Sequence, residues 1–425
     1  MARNFRDWVA AMAEATPGNY VPTLFRKWSA LPIVGAALRK QAWYEHGAYK
    51  VTPNLYVILV GPPATGKGIA LTAPVSLVLN GLCTPLTDIK KDKEEAENVW
   101  RRYLPDKWDE PLHVMRGHIT YPQLCRNLTT TGRRLMGLRT AKGEGVEPFE
   151  EHAMAIATAE FGVFMTKHDF PLQTLMTEGW DSSSPHEYHT KHQGVDLIEG
   201  PTLTWLAAAT PDEFIANMPA NAAKQGLLSR IIPVYKEQGD SVMEIRSNPF
   251  DMDYIEELRK DLGHISKIKG EFTWSREAEN DLVVPWLDPG RGAQGPKPDD
   301  PIMRDYCNRR YAHLIKMCMC LSAARRDTRV MEAEDWVDAA AMLFEAEAMM
   351  PKLLRRFSMS DAGKMADELI DMVRNAGGRM SAQMLMRLAM RKIHSIAEVE
   401  KTIDVIVNTR ALNRDGDLIT IGEGL

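Results

Sequence analysis

The chain has 425 residues, of which 44% are hydrophobic and 26% charged, enough for two to four compact units with real cores. That balance excludes a disordered or fibrous chain. A net charge of −5 excludes a uniformly basic, nucleic-acid-coating surface, although local loops can still carry phosphate contacts.

Residues 4–46 read as two helices. Trp8, Val9 and Met12 share one face, and Phe25, Trp28, Leu31, Ile33, Leu38 and Trp43 supply the second stretch with apolar positions. A strand at 55–60, a helix at 66–80, a strand near 113–119 and a helix at 121–130 follow. Strands at 153–159 and 202–209 alternate with helical stretches at 171–179 and 211–217. This alternation predicts an α/β fold, a parallel sheet with helices on both faces. From about residue 251 the pattern turns helical: 252–265, a Gly/Pro-dense loop at 288–301, then long helices over 304–324 and 334–357, the last opened by Glu334 or Asp335. The tail from Ser360 gives a helix, a Gly-Gly turn, a helix opened by Ser381, a third helix, and two short strands across Arg414-Asp415-Gly416. Three helices and a terminal hairpin are the layout of a winged helix.

Cys83, Cys125, Cys307, Cys318 and Cys320 show neither zinc spacing nor a pairing pattern, so free thiols in a reducing compartment are expected. No apolar run is long enough to span a membrane, and the acidic N-terminal stretch lacks a cleavage pattern. A cytoplasmic location without membrane contact is expected.

"GPPATGKG" fits G-x-x-x-x-G-K, after a strand and before a helix. In such a loop the backbone N–H groups of Gly61, Pro62, Pro63, Ala64, Thr65, Gly66, Lys67, Gly68 and Ile69, proline excepted, surround a nucleotide's phosphates. Lys67 reaches the β and γ oxygens, so ATP is the expected ligand, with Mg²⁺. Gly68 is the departure: a Ser or Thr hydroxyl there normally holds the magnesium. The second acidic motif is sought on a later buried strand, and "HAMAIATAEFGVFM" ends in Glu160, with Ala159 where an Asp is usual. Glu160 is expected to orient the attacking water, to hold magnesium through water, or both. Thr210, at the end of strand 202–209, is read as a γ-phosphate sensor and equally as a helix N-cap. Arg230 lies between an apolar helix end and a further strand, where an exposed arginine can complete a neighbouring subunit's site. His186, His189 and His192 lack metal-ligand spacing, and no metal site is assigned to protein residues alone.

The ordered set "NLYVILVGPPATGKG", "AIATAEFGVFM", "TLTWLAAATPDEF", "GLLSRIIPVY" and "RRYAHLIKMCMCLSAA" resembles the helicase-like AAA+ ATPases of phages, plasmids and prophages. Members of that family are often fused to primase-polymerases. The likeness covers roughly residues 20–355, and the Ser229-Arg230 placement is also similar to the arginine-finger segment of minichromosome maintenance helicases. It implies a ring, expected to be hexameric, driven by ATP along DNA, with a primase or other replication protein as a further partner. It carries over Lys67, Glu160, Thr210 and Arg230 in the roles above, and places a sensor arginine of the lid at Arg309 or Arg310. The divisions expected are an N-terminal helical segment (1–50), an AAA+ P-loop core (51–240), a helical lid (241–357) and a winged helix (358–425).

Two stretches are candidates for single-stranded DNA in a central pore. "GRRLMGLRTAKGEG" offers Arg133, Arg134, Arg139 and Lys142, and "EYHTKHQGVD" offers Lys191 and His192 at a hairpin turn. In ring motors such loops grip phosphates through positive charge. Arg387, Arg391 and Lys392 are further candidates on the tail. The activity expected is an ATP-driven DNA helicase or translocase. Its rivals are a helicase loader or remodeller acting on a protein, and a nucleotide-gated DNA-binding protein with little hydrolysis.

Overall fold

Strands buried on both faces cannot alternate polar and apolar residues, and the central strands here do not. The structure, a computed structural model, describes residues 3–16, 18, 20–47, 49–78, 113–190, 194–218, 226–240, 250–288, 290, 295, 298, 300–357, 361–390 and 395–422. The chain forms two compact units, Met1–Leu353 and Leu354–Leu425.

The first unit opens with helices Trp8–Ala15 and Thr23–Leu38, followed by β1 (Ala42–His46) and β2 (Tyr49–Val51). β3 (Tyr56–Val60) leads through the glycine-rich loop into helix Lys67–Thr72, which continues as a π-helical turn to Val78. Next come β4 (Val114–Arg116), helix Tyr121–Thr130, β5 (Arg133–Leu135), β6 (Phe149–Thr158) and helix Phe170–Asp181. The hairpin β7 (His186–Thr190) and β8 (Gly194–Ile198), then β9 (Pro201–Ala209), helix Pro211–Asn217 and β10 (Ile231–Tyr235) complete the series.

The main sheet runs β10-β3-β9-β6-β4 with every neighbour parallel, and β5 pairs antiparallel with β6. All of β3, β9 and β10 is buried, because helices Thr23–Leu38 and Phe170–Asp181 both pack on β9 and the first also covers β3. Tyr56, buried in β3, donates its hydroxyl to Met176 O at 2.6 Å and so pins helix Phe170–Asp181 to the sheet.

Residues 42–46 correct the expected helix: they are strand. β1 pairs in parallel with β11 (Gly270–Trp274), which pairs with β12 (Val330–Met331), giving a second sheet β12-β11-β1-β2. Trp43, 2% exposed, is buried there against Leu135 and Leu138. Its partners lie far along the chain, beyond the reach of local periodicity. The helix expected over 66–80 is α-helical only to Thr72. Helices Met252–Ile265, Arg310–Arg325 and Ala333–Leu354 fill the remainder, with Met317, Cys318, Met319 and Cys320 all buried.

The second unit contains helices Asp361–Asn375, Ala382–Ala389 and Ile396–Asn408 with β13 (Arg379–Ser381), β14 (Leu412–Asp415) and β15 (Leu418–Ile421) in the order β13-β15-β14. Leu369, Val373, Leu385, Val399, Ile403, Leu412 and Ile419 form its core. Ser381 caps its helix as expected, accepting from Met384 N at 3.1 Å.

Candidate functional site

Two glycines of the loop are there because nothing larger fits. A Cβ on Gly61 would meet Lys236 O at 2.7 Å, and Gly66 holds φ +82° with a Cβ position 2.9 Å from Val21 Cγ2. Gly61 N–H donates to Ala209 O at 3.2 Å, tying the loop's first residue to β9. Lys67 folds back over its own loop, donating to Gly61 O at 2.6 Å and Pro62 O at 2.7 Å. Both acceptors are backbone carbonyls of the loop itself. Burial lowers the Lys67 pKa, and the charge of Glu213 pushes it back up.

Gly68 differs from the other two: a Cβ there meets nothing within 4 Å. Sterics do not forbid the missing hydroxyl. If the loop serves magnesium-dependent ATP turnover, Gly68→Thr should lower the magnesium concentration needed for half-maximal rate by about tenfold, the scale of losing or gaining one supporting metal contact. Gly68→Ala is the control for helix propensity, and an equal shift in both variants would remove the hydroxyl from the explanation. Were magnesium to bind beside a nucleotide here, Glu160, phosphate oxygens and water would be its donors, a set this ion accepts.

β9 lies between β3 and β6, so three strand ends meet at one edge. Val60 pairs with Ala209, and Thr158 pairs with Ala207, which brings Glu160 level with Ala209. The loop that carries Lys67 follows β3 and Glu160 follows β6, and these strands stand on either side of β9, which leads into Thr210. Glu160 is exposed and stands at the N-cap of helix Phe161–Phe164, yet its side chain makes no cap hydrogen bond. The carboxylate faces outward, uncommitted to the helix. Thr210 does cap helix Pro211–Asn217: its hydroxyl accepts from Glu213 N at 3.2 Å, and Glu213 Oε2 accepts from Thr210 N at 3.3 Å.

The arginines lie elsewhere. Arg230 precedes β10, whose first residue pairs with Tyr56, while the loop follows Val60. It therefore sits at the amino end of the sheet, about 16 Å along the strands from the phosphate loop. It is not exposed, as the sequence reading required, but buried: Nη2 pairs with Asp181 Oδ2 and Nη1 donates to Gly226 O at 2.7 Å. Arg309 reaches the other oxygen of Asp181 at 3.5 Å, and both guanidiniums lie over the Trp180 ring at 5.7 and 5.4 Å. Arg310 is separate, buried with Glu347 in a two-point pair at 2.8 Å and packed on Trp286 and Phe344. Of the two sensor candidates, Arg309 has access and Arg310 is core.

Lys316, fully buried at the same end, donates to Thr52 O, Asn54 Oδ1 and Trp180 O, and burial pushes its pKa down to about 7. A cleft of about 1120 Å³ opens there, with Lys40, Trp180, Asp181, Arg309 and Lys316 in its wall.

Arg133 corrects its assignment to DNA: it pairs with Glu151, 1% exposed, and donates to Gln41 Oε1 at 3.0 Å. Arg134, Arg139 and Lys142 are exposed, and Arg139 bridges to Gly145 across a turn. Lys191 and His192 lie outside the described residues, as do Arg391 and Lys392, although the flanking strands β7 and β8 form the expected hairpin. His186 is paired with Glu178 at 2.6 Å. Glu213 and Val21 were missed by sequence reasoning; the T-x-x-E spacing after β9 was the one available signal.

No protein-family model matches the chain, and no curated protein matches it.

Proposed function

We propose that this protein is an ATP-driven, ring-forming AAA+ motor that moves along DNA, a helicase or translocase of a phage or mobile-element replication system. One observation carries the reading: Lys67, Thr210 and Glu160 share the carboxyl edge of a parallel sheet, while Arg230 and Arg309 occupy its amino end. Ligands of open parallel sheets bind beyond the carboxyl ends of the strands. Two arginines too far away to reach their own subunit's phosphates suit a phosphate held by a neighbour. Arg309, one-third exposed, has access to such a neighbour, and Arg230 acts as the finger only on leaving its buried pair with Asp181.

In this reading the loop's N–H groups and Lys67 hold the triphosphate of ATP. Glu160 would hold magnesium through water, and the ion would supply positive charge to the triphosphate. Glu160 orients a water and takes up its proton as the water's oxygen attacks the γ-phosphorus. The bond to the β–γ bridging oxygen breaks, leaving ADP and inorganic phosphate. Thr210 faces the γ-phosphate while its hydroxyl caps the helix, and a hydroxyl can do both. The three helices and three-stranded sheet of the tail support a winged helix.

The test is magnesium-dependent ATP turnover with and without single-stranded DNA, for the wild type, Lys67→Ala and the double variant Arg139→Ala/Lys142→Ala. Slow turnover, stimulated by DNA and absent from Lys67→Ala, is expected. The double variant should bind single-stranded DNA more weakly, with its log-log salt slope flattened by about 1.4, two phosphate contacts at about 0.7 each. Turnover indifferent to DNA would favour a remodeller acting on a protein, and no turnover above Lys67→Ala a nucleotide-gated binding protein. An unchanged salt slope would leave the Arg139 turn as plain surface.

A further inference from the structure

We propose that Glu213 is a positioning residue for hydrolysis, its carboxylate clamping together the two strand ends that carry Glu160 and Thr210. The inference rests on the ATPase reading and adds a residue to it. Hydrogen-bonded pairing between β6 and β9 stops at Thr158 and Ala207, so the chain beyond is held by other means. Glu213 provides a polar tie across that gap. Its Oε1 accepts from Gly162 N at 2.8 Å, two residues past Glu160, and its Oε2 accepts from Thr210 N. One carboxylate therefore fixes both ends at once.

Gly162 allows the approach, since a Cβ there would stand 2.5 Å from Asn217 Nδ2. Asn217 Nδ2 donates to Glu213 O at 3.1 Å and closes the helix turn behind the clamp. Phe161 packs on Phe214 at 5.3 Å, so apolar contact holds the same elements more coarsely. Carboxylate hydrogen bonds to N–H groups are directional, tight at Gly162 (2.8 Å) and looser at Thr210 (3.3 Å), whereas ring packing tolerates sliding. Aim is what the clamp adds, and a small misplacement of a reacting group is costly. Glu213 also acts electrostatically on Lys67, so its charge opposes an incoming triphosphate.

Glu213→Gln separates these roles from folding. Glutamine serves a capping box as glutamate does, but its amide nitrogen cannot accept from Gly162 N–H, and it carries no charge. The expected result is an unfolding midpoint close to wild type and a KM for ATP unchanged or lower. kcat should fall on the order of tenfold or more. Affinity for a fluorescent ATP analogue, measured without turnover, should rise about threefold as the opposing charge is removed. A kcat within twofold of wild type would overturn the inference. So would a kcat loss accompanied by a lowered unfolding midpoint and a raised KM, which is the mark of a helix merely weakened. If the wild type itself does not turn over, the ATPase reading fails, and with it the hydrolytic role of Glu213. Analogue affinity equal in the two proteins would separately remove the charge effect.

Discussion

Arg230→Ala should bind ATP normally and lose turnover by a factor on the order of 10³ or more, the scale of known arginine fingers. The guanidinium is suited to the task because its fixed positive fork meets charge developing on the γ-phosphate oxygens. In the proposed reading that nucleotide belongs to another copy, since Arg230 precedes β10 while Lys67 follows β3. Lys67→Ala should fail differently, by binding nucleotide poorly. Rings mixed from the two variants contain some interfaces with intact Lys67 facing intact Arg230, and partial turnover should return. Mixing must leave the assembly size unchanged for the comparison to hold. Arg230→Lys keeps a cation near Asp181 and checks the fold, because the pair with Asp181 is part of this end of the unit. No recovery in rings shown to contain both variants would confine Arg230 to its own subunit.

The largest effect on stability is expected at Glu347. Removing it takes the two-point carboxylate partner from Arg310, which is 2% exposed in a wall of Trp286 and Phe344. Breaking such a pair costs about 3–5 kcal/mol, so Glu347→Ala should shift the denaturant midpoint far more than any surface change. Replacing both partners together, Arg310→Met with Glu347→Leu, should recover much of the loss, because the desolvation cost disappears with the charges. Arg309→Ala should barely move the midpoint, since its pair with Asp181 is one-third exposed at 3.5 Å. It should reduce turnover instead. If the midpoint falls for Arg309→Ala and not for Glu347→Ala, the two arginines have been assigned the wrong way round.

Local signals made the central strands and the phosphate loop legible. Glycines at Gly61 and Gly66 answer to steric contacts that a G-x-x-x-x-G-K spacing already implies, and the helices at 121–130 and 211–217 match the structure's bounds. The second sheet was hidden, because β1 is held by β11, and a strand's long-range partner leaves no mark on its own periodicity. Arg133 looked like a surface cation because its carboxylate, Glu151, is a neighbour across the β5–β6 pair and not along the chain. Arg309 and Arg310 were indistinguishable as adjacent letters. Their separation came from where the helix turns each side chain, one toward Asp181 and one toward Glu347. Glu213 escaped notice because a capping box reads as helix grammar, and only the contact with Gly162 gives it a second meaning.

The parallel sheet also sets an accounting rule for assembly. Its carboxyl edge carries the glycine-rich loop and its amino end carries the arginines, so in the proposed reading each copy would offer one half-site of each kind. Contact between unlike halves is head-to-tail, which a two-fold dimer cannot satisfy on both sides. An open row of n copies completes n − 1 sites and strands one loop and one arginine pair at its tips, whereas a closed circle completes n. Turnover per subunit should then climb with concentration and level off only when the row has closed on itself.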